Sequence, residues 1–593
     1  MKKMFRFTSL LLFLGLSSNL GRASMTLQSL AGAVTSTEVV SLKNFMSGES
    51  PPSGQTYDNT IADGTAGMEA EALGLVYEVT NDPALLNQMI VYADQFLALR
   101  NNTNNGQIMW DGNRDPVWLT KPLTNSDGSV DSQVGYAGCE NNDIVGHIAY
   151  CAKLILETPS LWNTVVPGGD PHTNGATYFQ RAQTYIAQMD DTQDAYMLKW
   201  FINPDNFQIV APSSAAWTAE DENVNAWNRQ MMFLNGFQRL SECHQLLGDN
   251  PARVTKYDAI VRAAMAVFIG ALQPYTTNGA AVYNWTYAPG SGGSEDNTLH
   301  STYDLWGITR AWASGRYGLA NATMLPFANT LQYVMNVSTN HISYYVNGSS
   351  TGESTRDFIY PGWMPVANFN AATYSIMANM NIAQGSQAST AIFDAFILWV
   401  KNARYRGLYP TNNNAADFTI STPWLQMISS GSNATCLVTL NPLSGFTNTV
   451  TFSAGHLPKG ITAAFSAPAI TNGTGAVTLT LTASDTTPGG IYALTNGTVI
   501  SGTSSLGVRT APLALVVKPH PVIMNFGLTG NNFILHGTNG FWNATFYLLS
   551  GTNLASPPSE WTPLATNSFG TNGDFTVTNQ INGTSGRFYL IQY

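Results

Sequence analysis

Charged residues are scarce in this sequence, and basic residues are the scarcer kind. The 593 residues include 26 Lys and Arg and 37 Asp and Glu, so 11% of the chain is charged, against about 25% in an ordinary soluble domain. The net charge of −11 leaves no basic field for nucleic acid, so we exclude nucleic-acid binding. The apolar fraction of 44% is near the globular norm, which excludes disorder of the bulk of the chain.

Cysteine is also rare. The four cysteines form no CxxC pair and are too few for a disulfide scaffold or a cysteine zinc site. One bridge is conceivable, between Cys139 and Cys151, and it requires Cys139 to fold back in the loop before a helix. Neither an HExxH motif nor a calcium-loop motif occurs. We therefore expect no metal and no cofactor, with a structural calcium ion left open.

The one strongly apolar run lies at the start of the chain. Residues 1–23 predict a signal peptide, with basic residues in the first six positions, an apolar stretch to Leu16, and small residues at Gly21 and Ala23 before a candidate cleavage site. No later run reaches about 18 apolar residues, so we predict no transmembrane segment. We expect a bacterial protein that is secreted, periplasmic or on the cell surface.

The pattern of the chain changes near residue 430. Before it, apolar residues recur at helical spacing; after it come alternating stretches such as AVTLTLTA, separated by Gly, Pro and Asn-Gly turns. We predict a helical catalytic domain over 24–430, an immunoglobulin-like β-sandwich over 431–518 and a small β domain over 519–593. The two β domains are candidates for spacing, stability or surface retention, or for carbohydrate binding through Trp542 and Trp561.

The helical part predicts a series of helical hairpins. First helices begin near Ala62, Glu140, Asn223, Glu295 and Val366, and a second amphipathic stretch follows each of them. Two architectures fit: an open solenoid, or hairpins that close into an all-α (α/α) toroid. We favour the toroid because the first helices open with polar and aromatic residues, which would line a single cleft.

The densest polar cluster is GGSEDNTLHSTYDLWGITRAW. Its spacing places Asp296, His300 and Asp304 on one helix face, with Tyr303 beside them. The ordinary interpretation is that Glu295 and Asp296 favour the positive end of the helix and that His300 is a bonded core residue. We favour this interpretation for Glu295 and Asp296. For His300 we favour a functional role, because a glycine-rich loop that can open onto a cleft precedes it.

Other candidate residues come from three further clusters. Asn228, in NVNAWNRQ, lies inside a predicted helix, where an amide is unfavourable unless it meets a polar group. Arg356 and Tyr360 lie in the loop STRDFIYPGW, and Asn142 and His147 lie at the start of another helix. Bonding between helices, capping and ordinary packing stay open as structural alternatives for all of them.

The helical segment, through EDNTLHSTYDLWGITRAW and the order of its Asn, His, Arg and Tyr candidates, resembles the α/α-toroid polysaccharide lyases. It is most similar to polysaccharide lyase family 38, whose members act on alginate or glucuronan. The resemblance covers the helical region and not the β domains. It implies an acidic polysaccharide as substrate, with mannuronate, guluronate and glucuronate all open.

The resemblance also implies roles for these residues. A lyase must neutralise the uronic acid carboxylate before the C5 proton can leave and the 4-O-linked sugar be expelled. Asn228 and His300 would contact the carboxylate, Arg356 the carboxylate or the phenol, and Tyr360 would accept the proton and then protonate the leaving oxygen. Tyr303 is the rival for that role. A phenol of pKa near 10 needs nearby positive charge to act as a base, and Arg356 can supply it.

Substrate contacts complete the implied site. Tyr303, Asn142 and His147 are candidates for binding, together with sugar-stacking tryptophans. Core packing is the default for each tryptophan. Those we single out are Trp110, Trp227 and Trp363.

Two other functions stay open. One is a glycoside hydrolase with Glu295 or Asp296 as the acid and Asp143 as the base. Residues 24–430 hold 34 acidic and 18 basic residues, which repels a polyanion at long range and suits a neutral glycan. The other is a non-catalytic glycan-binding surface protein.

Overall fold

The fold divides into helices first and strands afterwards. The computed structural model describes residues 27–53, 58–62, 64–102, 106–124, 130–213, 224–290, 295–350, 361–384, 391–409, 416–542, 544–570, 572–581 and 586–593. The predicted signal peptide and the candidates Arg356 and Tyr360 lie outside these residues.

Helices fill most of the chain up to residue 405. They are α1 (Ser36–Met46), α2 (Asp58–Ile61), α3 (Thr65–Thr80), α4 (Pro83–Ala98), α5 (Asn141–Leu156), α6 (Tyr178–Thr192), α7 (Leu198–Phe201), α8 (Trp227–Leu247), α9 (Pro251–Ala271), α10 (Ser301–Ala313), α11 (Asn321–Thr330), α12 (Ala371–Gln384) and α13 (Ala391–Tyr405).

Side-chain caps set several helix starts. Thr35 and Thr177 each accept a hydrogen bond from the third helical residue, whose own side chain bonds back, as in a capping box. Asp82 and Asn250 cap helices whose first residue is proline, the position where a missing N–H costs nothing. Gly248, with φ of 66°, ends α8 in the left-handed conformation.

Four long helices form the centre of the helical region. In chain order, α3 packs against α5, α5 against α8, and α8 against α10, and α13 packs on α3. Helix α5 approaches α8 closely at Gly236, where an added Cβ would lie 2.4 Å from Asn142 Oδ1. A buried ion pair from Lys401 Nζ to both carboxylate oxygens of Glu38 (2.8 and 2.9 Å) joins α13 to α1.

The expectation of an all-α (α/α) toroid is wrong. Helices account for about 40% and strands for 27% of the described residues, and three small sheets lie within the helical region. These sheets contain β1 (Ile108–Met109), β2 (Lys121–Thr124), β3 (Val130–Tyr136), β4 (Gln273–Thr277), β5 (Ala280–Asn284), β6 (Asn336–Ser338) and β7 (His341–Ile342).

The predicted alternation of first and second helices also breaks down. Helices α4, α6 and α9 pack on the helices before them, but α11 packs on strand β5, and α12 packs on a 3₁₀ helix, Pro365–Phe369. The coarser expectation, a helical N-terminal part followed by a β-rich C-terminal part, is confirmed.

The first β part is a two-layer sandwich. One sheet has the order β12-β14-β10-β8, and the other has β13-β11-β16-β17-β15, with β9 parallel to β17. Apolar residues of both sheets share one core, including Val438, Leu479, Ile500 and Leu513. The strands are β8 (Asp417–Ser421), β9 (Leu425–Ser429), β10 (Asn433–Leu443), β11 (Val450–Gly455), β12 (Ile461–Phe465), β13 (Ala469–Ile470), β14 (Gly475–Ala483), β15 (Gly490–Tyr492), β16 (Thr498–Ser504) and β17 (Gly507–Lys518).

The last part is a smaller pair of three-stranded sheets. Their orders are β18-β19-β22 and β21-β20-β23, around a core that includes Leu535, Phe546 and Phe575. The strands are β18 (Val522–Thr529), β19 (Asn532–Thr538), β20 (Thr545–Gly551), β21 (Thr562–Ser568), β22 (Phe575–Gln580) and β23 (Phe588–Gln592).

Two further expectations concern membranes and cysteines. Among the described residues, none of the helices combines the length and the apolar character needed to cross a bilayer. All four cysteines are buried free thiols, so the conceivable bridge between Cys139 and Cys151 is not formed.

Candidate functional site

Three helix starts and one loop meet around His300. His300 is the residue immediately before α10, Arg229 lies in the first turn of α8, and Glu140 immediately precedes α5. Tyr287 follows β5, and its carbonyl oxygen accepts a hydrogen bond from Trp227 N (3.2 Å), which ties the loop to the start of α8. We call Glu140, Arg229, Tyr287, Asn297 and His300 the His300 site.

The orientation of the His300 ring is fixed by Asn297. The Asn297 Oδ1 atom accepts hydrogen bonds from the backbone N–H groups of Leu299 (2.9 Å) and His300 (3.2 Å). Its Nδ2 therefore donates to His300 Nδ1, at 3.1 Å. Because Nδ1 is then an acceptor, a neutral ring carries its proton on Nε2. His300 thus offers an N–H donor from the far side of its ring.

The imidazole is neutral under physiological conditions. Burial, with the charge of Arg229 nearby, lowers the pKa of His300 to about 4. The side chain still keeps 32% of its surface exposed, so a ligand can reach it. His300 is therefore suited to donating a hydrogen bond and not to carrying a positive charge.

Positive charge comes from Arg229, a residue that the sequence analysis did not single out. Its Nη1 lies 3.6 Å from Glu140 Oε1, and 28% of the side chain is exposed. The neighbouring Asn228 has a buried Oδ1 with no hydrogen-bond partner among the described residues. The first turn of α8 thus brings an amide and a guanidinium to the same end of the helix.

A phenol also lies at this site. The Tyr287 and His300 ring centroids are 4.7 Å apart. Burial raises the pKa of Tyr287, and the charge of Arg229 opposes that rise. Sequence reasoning missed Tyr287, although its segment WTYAPG leads directly into the glycine-rich loop that drew attention to His300.

Two buried carboxyl groups lie behind His300. Trp285 Nε1 donates to Asp296 Oδ2 (2.9 Å) and to Asp304 Oδ2 (3.0 Å). Burial raises the pKa of Asp296 to about 6, and burial together with Asp296 holds that of Asp304 well above its ordinary value. Asp296 is 1% exposed and Asp304 is 0% exposed, so a ligand does not reach either carboxyl group. Both residues are structural.

The base of the alternative hydrolase pair is also enclosed. Asp143 is 6% exposed, accepts a hydrogen bond from Asn235 Nδ2 (2.7 Å) and lies 3.5 Å from His147 Nε2. An inverting pair needs open space for water between its two carboxyl groups. The burial of Asp143 and Asp296 does not provide that space.

The structure places two expected binding residues in the core. Asn142 is fully buried, with its Nδ2 bonded to Phe233 O and its Oδ1 to Gln193 Nε2. His147 is 2% exposed, and its Nε2 lies 2.9 Å from Ala62 O. Both residues join neighbouring elements instead of facing a cleft.

The three expected stacking tryptophans differ in their surroundings. Trp227 and Trp363 are fully buried core residues, packed against Phe268 and Trp285 respectively, and neither has a free ring face for a sugar. Trp110 is half-buried, 4.6 Å from the ring of Trp200. The Trp110–Trp200 pair is the better candidate for stacking.

Tyr303, the rival phenol, lies in the first turn of α10. It is 7% exposed and stacks on Trp306, with ring centroids 6.5 Å apart. The candidates Arg356 and Tyr360 lie outside the described residues, and the described chain resumes at Pro361. There Gly362 N donates to Thr302 Oγ1 (2.8 Å), which fixes the segment 361–363 against the first turn of α10.

Comparisons with known proteins add no identification. No protein-family model matches this sequence, and no curated protein shows significant similarity to it.

Proposed function

We propose that the protein is a secreted polysaccharide lyase that cleaves an acidic, uronic-acid-containing glycan of the alginate or glucuronan type by β-elimination at the His300 site. The observation that supports this most strongly is the half-exposed, neutral imidazole, which has its proton on Nε2 and Arg229 nearby. A guanidinium and a neutral N–H donor are suited to a carboxylate, and elimination begins with neutralising a carboxylate.

The proposed reaction needs a base on the C5 proton and an acid on the leaving oxygen. A base takes the C5 proton, the electron pair forms the C4=C5 double bond, and the C4–O4 bond breaks. The leaving oxygen then takes a proton. In the proposal, Asn228, Arg229 and His300 bind the carboxylate and stabilise the negative charge that develops on it.

A phenol is the proposed acid and base. Tyr360 remains the candidate from the sequence, and Tyr287 joins it because its ring lies beside His300 and near the charge of Arg229. Burial raises the pKa of Tyr287, which suits its phenol to protonating the leaving oxygen, and the positive charge of Arg229 opposes that rise, which favours its use as a base. A positioned acid–base group contributes about 10²–10⁴-fold to a rate.

The first experiment is a substrate panel. Purified protein is incubated with alginate, glucuronan and a neutral glucan, and both ultraviolet absorbance and new reducing ends are measured. Absorbance that rises together with reducing ends on a polyuronate is expected, because elimination makes a conjugated product. Reducing ends without absorbance would indicate a hydrolase, and no new ends on any polymer would indicate a binding protein; both results contradict the proposal.

The second experiment assigns the residues. His300→Ala should reduce turnover by about 10²–10³-fold, and His300→Gln, which keeps an N–H donor, should retain more activity. Tyr287→Phe and Tyr360→Phe are compared to identify the acid and base. The exposed His172→Ala and Tyr405→Phe variants are matched controls and should keep full activity. Full activity in His300→Ala would refute the proposed site.

A further inference from the structure

A large cavity lies between the helical region and the β-sandwich. Its volume is about 560 Å³, within the range of about 300–1,000 Å³ that is typical of small-ligand sites. On one side are residues from α3, α5, α8, α10 and α13, and on the other are residues 419–424 and 510–514. The half-exposed Leu437 is among the lining residues. We call this space the interdomain cavity.

The interdomain cavity is separate from the His300 site. The His300 site lies at the N-terminal ends of α5, α8 and α10, whereas the cavity is lined by Glu157, Glu242 and Arg310, which lie beyond or near the C-terminal ends of the same helices. A helix such as α5 rises about 1.5 Å per residue, so its 16 residues separate the two ends by about 24 Å.

Tryptophan rings are prominent in the cavity wall. Three of their indole N–H groups are already bonded within the protein: Trp312 to Asn321 Oδ1 (3.0 Å), Trp399 to Glu78 Oε2 (3.0 Å) and Trp424 to Gln245 Oε1 (3.1 Å). These bonds fix the ring orientations. Fixed indole faces are suitable surfaces for the C–H faces of sugar rings.

Charges in the wall compensate one another. Lys153 Nζ lies 3.7 Å from both Glu157 and Glu242, and Arg239 lies 3.4 Å from both Glu71 and Glu242. The wall contains equal numbers of acidic and basic side chains, and so has no formal net charge to attract an ion: Glu71, Glu78, Glu157 and Glu242, and Lys153, Arg239, Arg310 and Arg406. An uncharged polar ligand is therefore favoured over an anionic or cationic one.

Several buried polar atoms of the wall lack partners. Among the described residues, none makes a hydrogen bond with Thr309 Oγ1, Arg239 Nε, Arg310 Nε or Glu157 Oε2. Thr309 is only 2% exposed, and Arg239 and Glu157 are each 7% exposed. Buried polar groups in native proteins nearly always have a partner, so these atoms indicate hydrogen-bonding groups inside the cavity.

We propose that the interdomain cavity is a second carbohydrate site, which binds a short neutral oligosaccharide. Hydroxyl groups of the sugar pair with the unpartnered atoms of Thr309, Arg239 and Glu157, and the sugar rings lie against the tryptophan faces. The chain then has two sites with different ligands: a charged polymer at the His300 site and an uncharged glycan between the domains.

The test uses the full-length protein and calorimetric titration with cellotriose, maltotriose and mannotriose. At least one trisaccharide should bind. Thr309→Val, which replaces the hydroxyl with a methyl group of similar size, should weaken binding by about threefold to tenfold, the effect of one hydrogen bond. Trp424→Ala should weaken it further, while Phe526→Ala, at an exposed aromatic residue of β18, serves as the control and should leave it unchanged.

Three outcomes would overturn this proposal. The first is that none of the trisaccharides gives a heat of binding, and the second is that Thr309→Val binds the trisaccharide as tightly as the wild type. The third is that alginate or glucuronan oligomers displace the trisaccharide, which would place the trisaccharide at the His300 site. Trisaccharide binding is measured without turnover, so the result is independent of whether the protein is a lyase.

Discussion

His147 provides a quantitative test of the charged interior of the helical region. It is 2% exposed, with Nδ1 3.4 Å from Glu71 Oε2 and Nε2 3.5 Å from Asp143 Oδ2. Burial opposes protonation, but the two carboxylates outweigh it and raise the pKa of His147 to about 10. The residue is therefore a buried imidazolium across most of the physiological range.

Replacing His147 by Gln should lower the free energy of unfolding by about 3–5 kcal/mol at pH 6, the usual cost of breaking a buried ion pair. The folded pKa lies above the unfolded value of about 6.5, so the stabilisation is complete below that pH and is lost as the pH rises. The difference between wild type and variant should therefore shrink by about 1.4 kcal/mol per pH unit and be nearly gone at pH 10.

The measurement is urea unfolding followed by circular dichroism of the helices at pH 6, 8 and 9.5. His172→Gln, which changes an exposed histidine of the same region, is the control and should match the wild type at each pH. A deficit in His147→Gln that is constant with pH, or no deficit at all, would refute the assignment of a buried imidazolium.

Two further predictions concern positions away from His147. Gly362→Ala should displace the segment 361–363, because a Cβ there would come within 1.9 Å of a main-chain oxygen of α10. We expect a lower melting temperature and a turnover reduced at least about tenfold. Unchanged values of both would contradict the close approach. Lys401→Met should lower the free energy of unfolding by about 3–5 kcal/mol, because it leaves the Glu38 carboxylate buried without its ion-pair partner. Adding Glu38→Gln to this variant should recover part of the loss, measured by urea unfolding. No recovery would contradict the pairing.

The division into helices and strands could be predicted from the sequence, because periods of 3.6 and 2 residues differ clearly over long segments. The arrangement of these elements could not be predicted, and the expected toroid was wrong. Strands as short as β1 and β7 leave no periodic signal, and the pattern of a second helix does not specify which element it packs against. The packing of α11 on β5 is the clearest example. Local rules identify an amphipathic helix without specifying what covers it.

The candidate site was only partly predictable for a similar reason. Polar residues in an apolar helix indicate either a cleft or a hydrogen bond between helices. The positions of Asn142 and His147 in the sequence are compatible with both interpretations. His300 differs because a glycine-rich loop precedes it. Arg229 and Tyr287 can be identified as site residues only from the structure, in which the starts of α8 and α10 lie close together. That proximity depends on contacts between residues that are distant in sequence.

The most direct measurement of the central claim is the proton NMR spectrum of the products that wild type and His300→Ala release from a polyuronate. We expect an olefinic H4 signal, from the new C4=C5 bond, with the wild-type protein and little or none with His300→Ala in the same time. New reducing-end signals without the olefinic proton, or equal olefinic signals from both proteins, would contradict it.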